Sequence, residues 1–279
     1  MESKIGSCFL GRTLELTNGK IIVGVTLDVG PRIIKLQKVG GENLMFEDVD
    51  DAVNKDVSAV YGKGKQWHIY GGHRMWLSPE TLATYYPDNN PVISELTTDG
   101  AVFTPPAWTE RGVQPVLRLR FTDDDALEVI MSFTNISDRP QKLCIWALTV
   151  MKCGGTLTLP LSTEDTGFLA NRNLVFWSYT DVRDPRLTIA NDRVVLTGSP
   201  DAEGPLKIGT YLEHIRAAYR YGDTLFTKES VAKPGEYPDF CCNFETYTSN
   251  LIHECETLTD MEVVEPGAEK VHIEKWRLE

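Results

Sequence analysis

The sequence predicts an all-β protein, one large domain over residues 1–279 in which two broad antiparallel sheets pack face to face with few helices. Three observations predict it. About fourteen runs of roughly five to ten residues alternate apolar with polar side chains or concentrate β-branched ones, the pattern of strands with one or both faces buried. Turn chemistry separates them, at Asn18-Gly19, Thr98-Asp99-Gly100, Asp123-Asp124-Asp125 and Asn191-Asp192. No amphipathic helix of convincing length and no break in composition divides the chain. At 279 residues it is long enough to bury most of the surface that its unfolded form exposes.

The elements follow in order. CFLGRTLEL and KIIVGVTLDVG flank Asn18-Gly19, and a type I′ turn needs φ > 0 at both central residues, so this is a hairpin. Arg32 to Val39 opens after Gly30-Pro31 and closes at Gly40-Gly41, completing a meander. Residues 47–65 are polar with weak helical spacing and read as a surface loop or a short helix. TYYPDNNPV, residues 84–92, carries two prolines and two asparagines and reads as a loop whose Tyr85 and Tyr86 either overhang a site or anchor the loop. Strands resume with VISELTTDGAVFT, VLRLRF and ALEVIMSFTN. The three aspartates between the last two lack the glycine and distal glutamate of an EF-hand and read as a turn. KLCIWALTVM is apolar on both faces, which predicts burial between two layers. GGTLTLPL, LVFWSY, RLTIA, RVVLTG, KIGTYL, AAYRY and GDTLFTKESV continue the pattern, and VHIEKWRL closes it.

Composition excludes several classes. The formal charge is −12, from 28 basic and 40 acidic side chains. That argues against nucleic acid or an anionic membrane as partner and favours a neutral or cationic small molecule. Six cysteines without a CxxC pair suit neither a disulfide scaffold nor structural zinc. The N-terminus lacks the apolar core of a signal peptide, and no stretch of about eighteen apolar residues occurs. A soluble, cytoplasmic protein is expected, and no cofactor.

Polar chemistry gathers in three places. QWHIYGGHRMWLSPE, Gln66 to Glu80, holds two of the five histidines and two of the six tryptophans. Arg74 donates in a fork to oxygens, Trp67 or Trp76 offers an apolar face, and His68 or His73 carries a proton near neutral pH. Gly71-Gly72 lets the backbone turn tightly or approach a ligand. The bland alternative is a well-packed strand pair. Arg32 stands at the start of a strand. NFETYTSNLIHECETL supplies Glu245, His253, Glu254 and Glu256, and period two sets Glu254 and Glu256 on one face about 7 Å apart. Like charges so placed need water, a cation or a donor-rich ligand; for Glu254 alone a solvated edge face is the simpler reading. His68 and His73 with these glutamates admit a metal set, though a spacing of five across a glycine turn is no recognised ligand pattern.

CETLTDMEVVEPGAEKVHIEKWRL resembles the C-terminal signature of the aldose 1-epimerases, the galactose mutarotases: Leu-Glu-Thr-Gln, then Leu-x-Pro-Gly and a final strand. TNISDRPQKLCIWALTVM and GPRIIKLQKVGGENLMFED are similar to the Thr-Asn-x-Ser/Thr-Asp-Lys-Pro strand and the opening hairpin of that family. GGHRMWLSPE, WALTVM and NFETYTS are similar to an uncharacterised branch of the galactose mutarotase-like superfamily. The resemblance implies a β-supersandwich that binds a sugar on a concave face. It further implies a glutamate that takes the proton of the anomeric hydroxyl and a histidine that protonates the ring oxygen. Glu256 matches that glutamate. Leu148 stands about where one family histidine belongs, with Trp146 on its face, and Tyr70 replaces another, leaving His73 ahead of His68 as acid.

The expectation is therefore a carbohydrate-active protein, with aldose 1-epimerase-like chemistry if it is an enzyme. Glu256, His73 and His68 are the catalytic candidates, and Arg32, Arg74, Trp76, Trp146, Tyr70, Glu254 and Glu245 the substrate contacts. Two alternatives stand beside it: a sugar-binding protein without turnover, and a metal-assisted isomerase or lyase using His68, His73 and the glutamates.

Overall fold

The computed structural model describes all residues 1–279. Its strands form two large antiparallel sheets and a small ribbon. In the larger sheet the Gly72–Ser78, Gln141–Lys152, Ile252–Leu258, Phe244–Thr248 and Leu206–Thr210 strands lie side by side in that order, flanked by the N-terminal meander. The second sheet has the Glu269–Leu278 strand at its middle, between Thr224–Val231 and Leu127–Asn135. The Gln141–Lys152 strand is buried from Leu143 to Met151, as its unbroken apolar run requires.

Local chemistry explains the connections. The Asn18-Gly19 hairpin forms between the Gly11–Thr17 and Ile21–Thr26 strands but not through the expected type I′ turn: only Gly19 takes a positive φ, 86°, while Asn18 accepts backbone N–H bonds from Lys20 and Ile21, both 3.0 Å. A further hairpin, turning at Phe9-Leu10, divides CFLGRTLEL and makes Glu2–Cys8 the edge strand. The three aspartates form the expected turn, and Asp124 binds Lys275 at 2.7 Å and Arg277 at 2.5 Å. Residues 47–65 hold more order than their composition suggests. Asn54–Asp56 pairs with Gln66–His68, and a single helical turn, Ser58–Tyr61, lies between.

Between the sheets lies a continuous apolar core running from Leu14 to Trp276. It encloses one fully buried polar network. Lys228 Nζ donates to Glu274 at 2.9 Å, Thr149 Oγ1 at 2.8 Å, and the carbonyls of Ala147 at 3.1 Å and Cys255 at 2.8 Å. Thr257 and Trp276 donate to the same carboxylate. Burial pushes the Glu274 carboxyl up, but Lys228 and the His272 hydrogen bond outweigh that and hold it far below the usual range. Ala147 and Cys255 belong to the two central strands of the larger sheet. The second sheet thus grips those strands by their backbones, against the side where the candidate site lies.

Candidate functional site

Alternation decides which side chains meet. On the Gly72–Ser78 strand, His73, Met75 and Leu77 face the second sheet and Arg74 and Trp76 face away from it; on Ile252–Leu258, Cys255 and Thr257 face inward and Glu254 and Glu256 outward. Register then assembles rows on the outer face. Arg74, Leu148, Glu256 and Glu245 lie opposite one another across four strands, and Trp76, Trp146 and Leu258 form a second row. Val150, Glu254, Tyr247 and Lys207 form a third. At about 4.8 Å between strands, Arg74 and Glu256 stand about 10 Å apart with Leu148 as the floor between them.

Glu256 and Glu245 share one cation. Lys207 Nζ lies 3.1 Å from Glu256 Oε2 and 2.7 Å from Glu245 Oε2, and Trp146 Nε1 donates to Glu256 Oε2 at 2.8 Å. Glu256 Oε1 and Glu245 Oε1 are buried with no partner. Glu254 makes no hydrogen bond or ion pair and sits at the solvent edge, 9 % exposed. The Lys207 ammonium also lies 4.8 Å from the ring centre of Trp146 and 4.7 Å from that of half-buried Trp177. Tyr179 and Tyr247, ring centres 6.5 Å apart, stand beside them.

One ammonium cannot balance three buried carboxyls. Burial drives the Lys207 pKa down, but Glu256 and Glu245 more than restore it, so Lys207 stays charged. Burial, with Glu256 next to it, raises Glu245 to about 8 and Glu254 well above the ordinary range. Lys207 thus keeps its charge between Glu256 and Glu245, and burial favours the protonated form of Glu245 and of Glu254. A base and an acid thus lie two residues apart on one strand face.

Several expectations need correction. His73 is not with Glu256: it is wholly buried between the sheets, its Nδ1 2.8 Å from Thr149 Oγ1 and its ring edge-on to Trp276. Burial lowers its pKa to about 3, so it does not carry a proton near neutrality. The reason is parity, since Arg74 faces the site and its strand neighbour must face away. His68 lies outside the cluster, bonded through Nδ1 to Asp51 at 2.6 Å and stacked on Tyr70. With the histidines parted, the metal set does not assemble, and no group of three or more His, Cys, Asp or Glu side chains is placed to hold an ion.

The tryptophans are not open platforms either. Trp76 stacks between Trp67 and Trp146, ring centres 5.3 and 4.9 Å away, with Tyr85 edge-on at 4.8 Å. Arg32 is engaged by Asp88, through two bonds of 2.6 and 2.8 Å, and by the carbonyl of Pro31. Tyr70 packs under the Arg32 guanidinium and donates to Asn89. Arg74 differs: it is buried beside Trp67 and Trp76, 4.0 Å from Asp88, and none of its three side-chain nitrogens has a hydrogen-bond partner. Burial, then the neighbouring Arg32, lowers its pKa to about 9.

The glycine pair at 71 and 72 is a steric requirement. Gly71 (φ 94°) and Gly72 (φ 64°) bring the chain so near the meander that a Cβ would lie 2.0 Å from the Phe46 carbonyl oxygen or 2.2 Å from that of Ile33. Lys207 was missed by sequence reasoning; its only signal is a lysine at the head of a strand otherwise fit for burial. Trp177, Tyr179 and Tyr247 gave no signal beyond being aromatic.

No family model matches the sequence, and no curated protein matches it. Solved structures do resemble the fold. A galactose mutarotase-like protein from Lactobacillus casei is 12 % identical, with 96 % of this chain and 100 % of that one covered at a TM-score of 0.59. One from Clostridium acetobutylicum is 10 % identical, covering 100 % and 98 %, at 0.58. A galactose mutarotase related enzyme from Lactobacillus acidophilus is 12 % identical, covering 96 % and 97 %, at 0.51.

Proposed function

From the galactose mutarotase-like fold that the chain shares with those proteins, we propose that it binds an aldose on the outer face of its larger sheet and interconverts the anomers by general acid–base catalysis. The observation that carries this reading is the carboxyl cluster, in which one oxygen each of Glu256 and Glu245 is buried without a partner beside a single Lys207, and Glu254 at the solvent edge makes no hydrogen bond. Buried polar atoms are almost always paired, so free ones gathered in one place ask for a ligand rich in hydroxyl donors. The sugar ring lies over Leu148, between Arg74 and Glu256.

Glu256, ion-paired with Lys207, takes the proton of the anomeric hydroxyl through Oε1. Glu254 gives its proton to the ring oxygen as the bond from C1 to that oxygen breaks and the C1 carbonyl forms. Rotation about C1–C2 presents the other carbonyl face, and the same two groups reverse the transfers on closure. This replaces the histidine that the resemblance implied with a carboxyl that burial keeps protonated.

Polarimetry of fresh α-D-glucose and α-D-galactose tests the reading. The native protein is expected to accelerate the approach to equilibrium, and Glu256→Gln to lose the acceleration by about 100-fold or more while still binding sugar. Absence of acceleration with every aldose tried refutes turnover. A second reading, recognition without turnover, is favoured by one observation: Glu256 is fully buried and already bonded by Lys207 and Trp146. Sugar binding with no effect on the rate selects it.

A further inference from the structure

With its carboxyls ionised, the site described above would be short of positive charge, and in the free protein protons on Glu245 and Glu254 make up the difference. Around Glu254 stand Glu256 and Glu80 on the acidic side, Lys207 and Arg74 on the basic side, and Tyr247 directly across the strand pair. Glu245 adds another carboxyl next to Glu256. Lys207 is already shared by the Glu256 and Glu245 carboxyls, and Arg74 shares its neighbourhood with Asp88. Glu254, nine-tenths buried, is left with no partner, and one oxygen each of Glu256 and Glu245 is free. A neutral sugar offers these oxygens hydroxyl donors and no charge. An ammonium offers three donors and the missing counter-charge at once.

We propose that the ligand of this site is an amino sugar, bound with its ammonium between Glu254 and the free oxygen of Glu256 and its hydroxyl oxygens toward Arg74. The inference rests on the reading of sugar recognition without turnover, since a Glu254 that loses its proton on binding no longer serves as the acid, and it adds the ligand class to that reading. Arg74 contributes unpaired donors on the side where a hydroxyl oxygen, an acceptor, is needed. The charge of the whole chain, −12, points the same way. The cation also has a consequence that a neutral ligand lacks. Bringing it beside Glu254 favours the ionised carboxyl, so binding expels a proton from the protein.

The experiment is isothermal titration of the full-length protein at pH 7 in two buffers of different ionisation enthalpy, with D-glucosamine, D-galactosamine, their N-acetyl derivatives, D-glucose and D-galactose. One amino sugar is expected to bind at least about tenfold more tightly than its neutral parent and its N-acetyl form. It should release up to one proton, where the neutral sugars release none. Glu254→Gln should erase both the preference and the release. If neutral sugars bind as well as the amines, or the amines bind without proton release, the amino-sugar assignment is overturned and sugar binding stands. If no member of the panel binds, both fall. The N-acetyl comparison uses the native protein and so decides the assignment even where the variant fails to fold.

Discussion

Glu245 is a carboxyl that the fold keeps protonated against its own chemistry. Its folded pKa, raised to about 8, lies above the unfolded value, so folding takes up a proton between roughly pH 4.5 and 8. Its contribution to stability is whole below about pH 4.5 and is lost as pH rises through 8. Replacing it by glutamine removes that loss. In urea melts, the stability difference between Glu245→Gln and the native protein should change in the variant's favour by about 1.4 kcal/mol per pH unit across that window. A difference independent of pH would show that Glu245 is ionised and balanced by Lys207. Lys207 is the counterpart: Lys207→Met removes the one cation beside the buried Glu256 and Glu245 and should cost about 3–5 kcal/mol, read as a lowered urea midpoint. Of these residues, Glu256 was legible because it stands in a run that is otherwise core, whereas Glu254 alone read more simply as a solvated edge face and is nine-tenths buried instead. Lys207 was not legible, because nothing local tells a lysine that snorkels to solvent from one that turns to a buried carboxylate.

The central strands of the larger sheet carry the site only because the second sheet holds them in register. Lys228 reaches across to the carbonyls of Ala147 and Cys255, one residue from Leu148 and Glu256 respectively. Lys228→Met strands the Glu274 carboxylate in the core and should destabilise the protein by about 3–5 kcal/mol. An undiminished midpoint in the melt would mean that the network carries no charge. At this scale the sequence was readable where a pattern is local, as in the Asn18-Gly19 hairpin and the doubly apolar Gln141–Lys152 strand. It was less readable where pairing partners are distant. In the ribbon of Asn54–Asp56 with Gln66–His68 the first strand is wholly exposed and polar and only Trp67 of the second is buried, so no alternation announces it. His73 shows the same limit, since which of two neighbours on a strand faces a site is fixed by what the strand pairs with, here the Thr149 position.

Over the whole molecule, two faces of one sheet do different work. The inner face, with His73 and the Lys228–Glu274 pair, is sealed into the core; the outer face carries Arg74, Glu254 and Glu256, with Trp67 of the 54–68 ribbon and Tyr85 packed against Trp76 at one end. No helix is long and apolar enough to cross a membrane. A separate groove of about 650 Å³ runs along the second sheet past Val231, Ile273 and His272 and includes none of the site glutamates. That groove is the rival location for any ligand. A crystal structure of the protein soaked with D-galactose and, separately, D-galactosamine distinguishes the two locations at a stroke. Density for a pyranose is expected over Leu148, with oxygens or nitrogen within about 3 Å of Glu256 Oε1 and Glu254. Sugar density in the groove beside His272, with the carboxyl cluster empty, would overturn the assignment of the site.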